Sequence, residues 1–208
     1  YPTRHDPATV AVERTSLVVA PDNAERAVVD LLDNADESID VVQLNIDEPD
    51  GAFLRATVRA ARRGVEVRVL LSSAWYVREE NRRIVERLRE RAESEDLPIR
   101  AKLAAPEGRF EKIHAKGVVV DGDRVLLGSL NWNRESAREN REVALVLEGE
   151  AVAGYYRGVF ESDWAAGSDG DPGSLPVGSI LAVAGVVVLA VLVARRVEFG
   201  STTGVGPE

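Results

Sequence analysis

A chain of 208 residues, 45% of them apolar, can bury one ordinary core and carry an appendage, which excludes wholesale disorder. It has no Cys and only two His, His5 and His114, so disulfides, thiolate–metal sites and a His-rich metal centre within one chain are excluded. The net charge is −9, and of 26 basic residues only Lys102, Lys112 and Lys116 are lysines. This carboxylate-rich, arginine-dominated balance reads as salt adaptation, against which acidity loses its usual force as an argument against a polyanionic substrate.

Residues 1–14 read as a linker leading into the fold, and Tyr1 in place of Met suggests a processed chain or a segment of a longer protein. Residues 16–20 are a short apolar strand. Asp22 with Glu25 makes a capping-box pattern, after which Ala24, Ala27, Val28, Leu31, Leu32 and Ala35 fall on one helical face. A strand is expected at 39–46, a helix at 50–63 stopped by Gly64, and an alternating strand at 65–71. A charged helix follows at 79–93, with Ile84, Val85, Leu88 and Ala92 as its apolar stripe. Strands at 99–103, 116–120, 124–127 and 142–147 and a helix at 150–164 complete the pattern. This alternation predicts an α/β domain over 15–165, a mixed β-sheet flanked by helices on both faces.

Residues 166–174 are small, polar and broken by Gly and Pro, as a flexible linker should be. Residues 175–194, LPVGSILAVAGVVVLAVLVA, carry no charge and as a helix would rise about 30 Å, the thickness of a bilayer core. A single transmembrane helix is therefore expected over 175–197, with a polar tail at 198–208. Arg195 and Arg196 on its far flank favour an extracytoplasmic domain.

The chemistry concentrates in IHAKGVVVDGDRVLLGSLNWNRESARENREVAL, which starts at Ile113. In a strand, His114 and Lys116 share a face. Asp121-Gly122-Asp123 turns the chain in a hairpin, and the return strand delivers Gly128, Ser129 and Asn131 beside them. An imidazole is a nucleophile or proton carrier, and an ammonium with neutral donors stabilises charge on phosphoryl oxygens. These groups together suit phosphate-ester chemistry.

The spacing H-x-K-x₄-D-x₆-G-S-x-N is met without a gap by His114, Lys116, Asp121, Gly128, Ser129 and Asn131. Six such positions coincide by chance with a probability on the order of 10⁻⁶ to 10⁻⁵ at average residue frequencies. The pattern resembles the signature of the phospholipase D superfamily, and the order of elements over 15–165 resembles one repeat of it. With its composition and apolar C-terminal run, the chain resembles a haloarchaeal, membrane-anchored member.

The resemblance implies a phosphodiesterase in which His114 attacks phosphorus and forms a phosphohistidine. Lys116, Ser129 and Asn131 would bind phosphate oxygens, and Asp121 and Gly128 would be structural. Asn140-Arg141-Glu142 resembles the family's N-x-E segment, which makes Glu142 the acid that orients His114. No metal or other cofactor is implied. The family site needs a second motif with its own His, and His5 does not supply one, because Pro7 stands where the Lys would be. The second half would come from a homodimer partner or from an upstream repeat of the same polypeptide. The phosphodiester substrate is a phospholipid or a nucleic acid, by hydrolysis or transfer; a non-catalytic scaffold half is the remaining alternative.

Other residues carry plainer expectations. Trp132 is expected to pack rather than stack on substrate. Arg134, Arg138 and Arg141 alternate with acids and read as a salt-bridged face. Trp75 and Tyr76 follow a strand, where they would line a lipid or base pocket or cap the core.

Overall fold

The computed structural model describes residues 3–166. Its elements run β1 (Arg14–Ala20), α1 (Ala24–Asp33), β2 (Ser38–Gln43), α2 (Ala52–Arg62), β3 (Glu66–Leu71), α3 (Arg78–Glu95), β4 (Ile99–Leu103), β5 (Gly117–Val120), β6 (Arg124–Gly128), α4 (Arg134–Arg138), β7 (Glu142–Glu148) and α5 (Glu150–Ala166). The strands form one sheet in the order β1-β7-β6-β5-β2-β3-β4. β2, β3 and β4 are parallel, joined through α2 and α3, and the other pairs are antiparallel. The expected mixed α/β sheet is therefore present.

Both faces of the central strands are covered: β5 reads as a continuous apolar run, and β2 is buried from Ile39 onward although it carries Asp40 and Gln43. Val41, Val67, Val69, Leu71 and Val118 face one core cluster with residues from α1, α2, α3 and α4. Val42 and Leu70 face the other side, against Phe160 and Trp164 of α5, while Val119 and Val125 meet Val152 and Ala153. Beneath α5 lies a buried ion pair. The Asp40 carboxylate, 2% exposed, accepts two hydrogen bonds from Arg68, at 2.6 and 2.7 Å, and Arg68 also reaches Glu161 at 2.6 Å. Burial alone would lower the pKa of the Arg68 guanidinium, but its bonds to Asp40 and Glu161 win and raise it. The same guanidinium stacks 4.9 Å above the Phe160 ring, so it joins β2, β3 and α5.

Several local expectations are corrected. The Asp22/Glu25 capping box does not form: Asp22 pairs with Arg141 and Glu25 with Arg138, and Asn23 at the N-cap accepts from the Val19 N–H at 2.8 Å. The strand expected to reach residue 46 leaves the sheet after Gln43, and Ile46 bridges Trp132 instead. α4, a single turn capped by the Asn133 side chain, had no period long enough to be read. Gly64 does end α2, at φ +98°, where a side chain would be strained. Apart from Ala166, the expected linker, and all of the transmembrane helix at 175–197 and the tail at 198–208, lie outside the described residues. Among the described residues no helix is long and apolar enough to cross a membrane.

Candidate active site

One edge of the sheet gathers the motif. β2, β3 and β4 end there, β6 arrives there, and β5 and β7 depart from it. The register fixes this, with Val42 opposite Gly117, Gly117 opposite Leu127, and Gly128 opposite Ala144. His114 and Lys116 lie in the segment entering β5, which begins at Gly117 and not at 116 as expected. They still meet: the Lys116 ammonium lies 3.0 Å from His114 Nδ1 and donates to the His114 carbonyl at 2.8 Å. The Lys116 side chain reaches back along its own segment to do this, so the pairing is tighter than a shared strand face requires.

On the neighbouring hairpin, the Ser129 hydroxyl donates to Glu142 Oε2 and accepts from the Val143 N–H at 3.2 Å. The Ser129 N–H donates to the Val143 carbonyl at 3.0 Å. Asn131 is half-buried, and its Oδ1 has no hydrogen-bond partner among the described residues. His114 and Ser129 are exposed, while Lys116 and Glu142 are half-buried. The site is an open, one-sided surface.

Its electrostatics favour a neutral imidazole beside a reachable cation. Lys116 foremost, then partial burial and Lys112, hold the His114 imidazole below its ordinary pKa. Burial lowers Lys116, and the Glu142 carboxylate works in the opposite direction. An ammonium at Nδ1 makes that nitrogen an acceptor and places the ring proton on Nε2. In that tautomer neither nitrogen offers a free lone pair, so Lys116 must turn away before the ring can act as a nucleophile.

The structural members of the motif have visible reasons. A Cβ at Gly128 would lie 2.3 Å from the Val143 carbonyl oxygen and 2.5 Å from Ala144 Cα, both backbone atoms, so only glycine lets β6 approach β7 there. Asp121 sits at φ +53° at the head of the β5–β6 turn. Its carboxylate accepts from the backbone N–H groups of Glu37 at 2.7 Å, Ser38 at 2.9 Å and Asp36 at 3.1 Å, and from the Arg124 guanidinium. Burial works against the charge. The N–H groups of Ser38, Glu37 and Asp36, with Arg124, nevertheless hold the carboxyl below its ordinary pKa. Asp121 therefore staples the start of β2 to the β5–β6 hairpin.

The other candidates separate cleanly. Within the described residues, Glu142 is bonded to Ser129, and His114 Nδ1 faces Lys116; no hydrogen bond joins Glu142 to His114. His5 lines a different opening, with Arg4, Arg109, Phe110 and Asp163. Trp132 packs, 2% exposed, with its ring 5.6 Å from Phe53. Arg134 closes on its own segment's Glu139, as expected, while Arg138 and Arg141 reach across to Glu25 of α1 and to Asp22 just before it. Trp75 and Tyr76 cap no core: they are 85% and 45% exposed. Two residues escaped the sequence reading. Lys112 acts on the charge of His114, and the signal was available, since two of three lysines flank that histidine in an arginine-rich chain. Gln43, 1% exposed with an unpartnered Oε1, is one step beyond the Val42–Gly117 pair, and nothing in its flanks marks it.

Comparison with known proteins agrees with this geometry. The chain is 29% identical over 147 residues to a mitochondrial cardiolipin hydrolase from Xenopus tropicalis; the match covers 69% of this chain and 62% of that relative's length. Among solved structures, the phospholipase D family member Nuc from Salmonella typhimurium superposes with a TM-score of 0.62 at 23% identity, covering 74% of this chain and 96% of that one. The phosphatidylserine synthase of Haemophilus influenzae Rd KW20 gives a TM-score of 0.58 at 16% identity, over 74% of this chain and 39% of the other. Both likenesses are of fold. The family model described as the PLD-like domain of cardiolipin synthase matches residues 28–164, the stretch that carries every motif residue above, and the chain belongs to this branch of the phospholipase D superfamily.

Proposed function

We propose that the chain is one half of a metal-independent phosphodiesterase that acts on phospholipids at a membrane through a phosphohistidine at His114. The observation that carries this reading is the His114–Lys116 pair set beside the Ser129–Glu142 pair on one open edge. An incoming phosphodiester competes for the Lys116 ammonium and draws it from Nδ1, and Ser129 and Asn131 supply further contacts to the phosphoryl oxygens. With Lys116 withdrawn, the ring proton moves to Nδ1 and Nε2 is free to attack. The N–P bond forms as the bond from phosphorus to the leaving oxygen breaks. The leaving oxygen takes a proton from a second histidine. That histidine then removes a proton from water, whose oxygen displaces His114 from phosphorus.

The second histidine must come from another half, a second copy or an upstream repeat. A second copy is supported by the β1–β7 edge, where Leu17 and Val143 are 63% and 48% exposed and Val143 adjoins Glu142. The uncharged run at 175–194 supports a membrane tether, and with the curated relative's name it favours a lipid substrate. The test is release of headgroup from phospholipid vesicles, with chelator present, by the parent chain and by His114→Ala. Turnover that survives chelator and vanishes in the variant is expected, and undiminished turnover in the variant would overturn the nucleophile. Cleavage of DNA or RNA in place of lipid would move the assignment to a tethered nuclease.

A further inference from the structure

Trp75 and Tyr76 sit on the loop between β3 and α3, which leaves the sheet at the catalytic edge. Most of the Trp75 indole lies in water, at 85% exposure, whereas Trp132 and Trp164 are 2% and 8% exposed. The two rings hold each other edge to face, 5.5 Å apart at 82°. The Lys112 ammonium lies 5.2 Å from the Tyr76 ring centroid, and the same lysine acts on His114. Lys112 is therefore a cation common to the Tyr76 ring and the charge environment of His114.

The loop presents these rings on a fixed frame. The Ala74 N–H donates to Ser72 Oγ at 3.2 Å, the Val77 N–H to the Ala74 carbonyl at 3.0 Å, and Arg78 Nε to the Ser73 carbonyl at 3.0 Å. Beneath them, buried Asn81 donates to the Ser72 carbonyl at 2.7 Å. A large apolar ring held in water by a built loop is a prepaid contact, since no ordering is left to do on binding.

We propose that Trp75 and Tyr76 are an interfacial anchor that seats the His114 edge on a phospholipid surface. The indole enters the boundary between headgroups and acyl chains, and Lys112 faces the headgroup phosphates. Trp and Tyr favour that boundary because one end of each is apolar and the other wet. A nucleic-acid strand is the weaker fit. It needs a cationic track leading away from the stacking rings. Here the first turn of α3 carries Glu79 and Glu80, and Arg78, Arg82 and Arg87 are engaged, Arg78 with its own loop, Arg82 with Glu79 and Arg87 with Asp50. The proposal rests on the lipid reading above and extends it to how the lipid is met.

The test uses the full chain with phosphatidylcholine–phosphatidylglycerol vesicles whose acyl chains carry bromine. Trp75 is the exposed indole, so bromine should quench parent emission, and the residual emission of Trp75→Phe, from buried Trp132 and Trp164, should not respond. Emission indifferent to bromine overturns the anchor, and so does quenching that is equal in Trp75→Phe. An oligonucleotide that quenches Trp75 where bromine does not would replace lipid by stacked bases. In parallel, Trp75→Ala should lower vesicle turnover about tenfold, the scale of losing one buried aromatic, and leave cleavage of bis(p-nitrophenyl) phosphate in solution unchanged. Equal loss on both substrates contradicts an anchor. If the parent cleaves neither substrate, the enzymatic reading fails, and bromine quenching still decides the anchor.

Discussion

Two lysines act on His114, and each sets a measurable property of the imidazole. Both cations lower its pKa, so a neutral ring is available at pH values where an ordinary histidine is half protonated. Removing Lys112 takes away one of these cations and lets the pKa rise. In Lys112→Ala the acid limb of kcat/KM for bis(p-nitrophenyl) phosphate in solution should therefore move to higher pH, as a pH–rate profile would read. An unmoved limb would mean that another group controls it. The motif residues were legible in the sequence because spacing alone carries them. The Lys116–Nδ1 contact was not, because both residues lie before β5 and the lysine side chain reaches back to the ring, which strand periodicity does not encode. Nor was the Ser129–Glu142 bond, which joins two strands through a register that only the assembled sheet fixes.

At the scale of elements, the strands and the four longer helices follow from apolar period, and their ends move by a few residues where tertiary contacts take over. Asp22 and Glu25 show the reason: they have the spacing of a cap, but Arg138 of α4 and Arg141 before β7 are better partners than backbone N–H groups. Asp121 shows the converse, a motif residue whose role became visible only once the turn before β2 was in place. Its folded pKa is depressed, so it stabilises the fold above the ordinary carboxylate range, and that contribution is lost as pH falls through the folded value. Asp121→Asn should cost about 1–3 kcal/mol at neutral pH, the scale of a weakened buried acceptor, and should flatten the acid loss of stability. Urea melts from pH 7 to pH 3 check both, and parallel curves for parent and variant would contradict the stapling role.

For the whole molecule, the open edge is the main consequence. His114 and Ser129 stand exposed and Lys116 and Glu142 half-buried, with no second histidine of the motif among the described residues. In the dimer proposed above, a second copy closes the site against the β1–β7 edge, where Leu17 and Val143 are exposed. Leu17→Asp should leave the fold intact, since Leu17 is 63% exposed, but should shift the full chain from dimer to monomer in sedimentation and abolish turnover together. A fully active monomer would place the second half elsewhere.

The central claim is a covalent bond from phosphorus to His114. Rapid acid-free quenching of the full chain during turnover, followed by peptide mass spectrometry, should find a phosphoryl adduct on His114 that is stable in base and labile in acid, and none in His114→Ala. Sustained turnover with no adduct, or an adduct on another residue, would contradict the account.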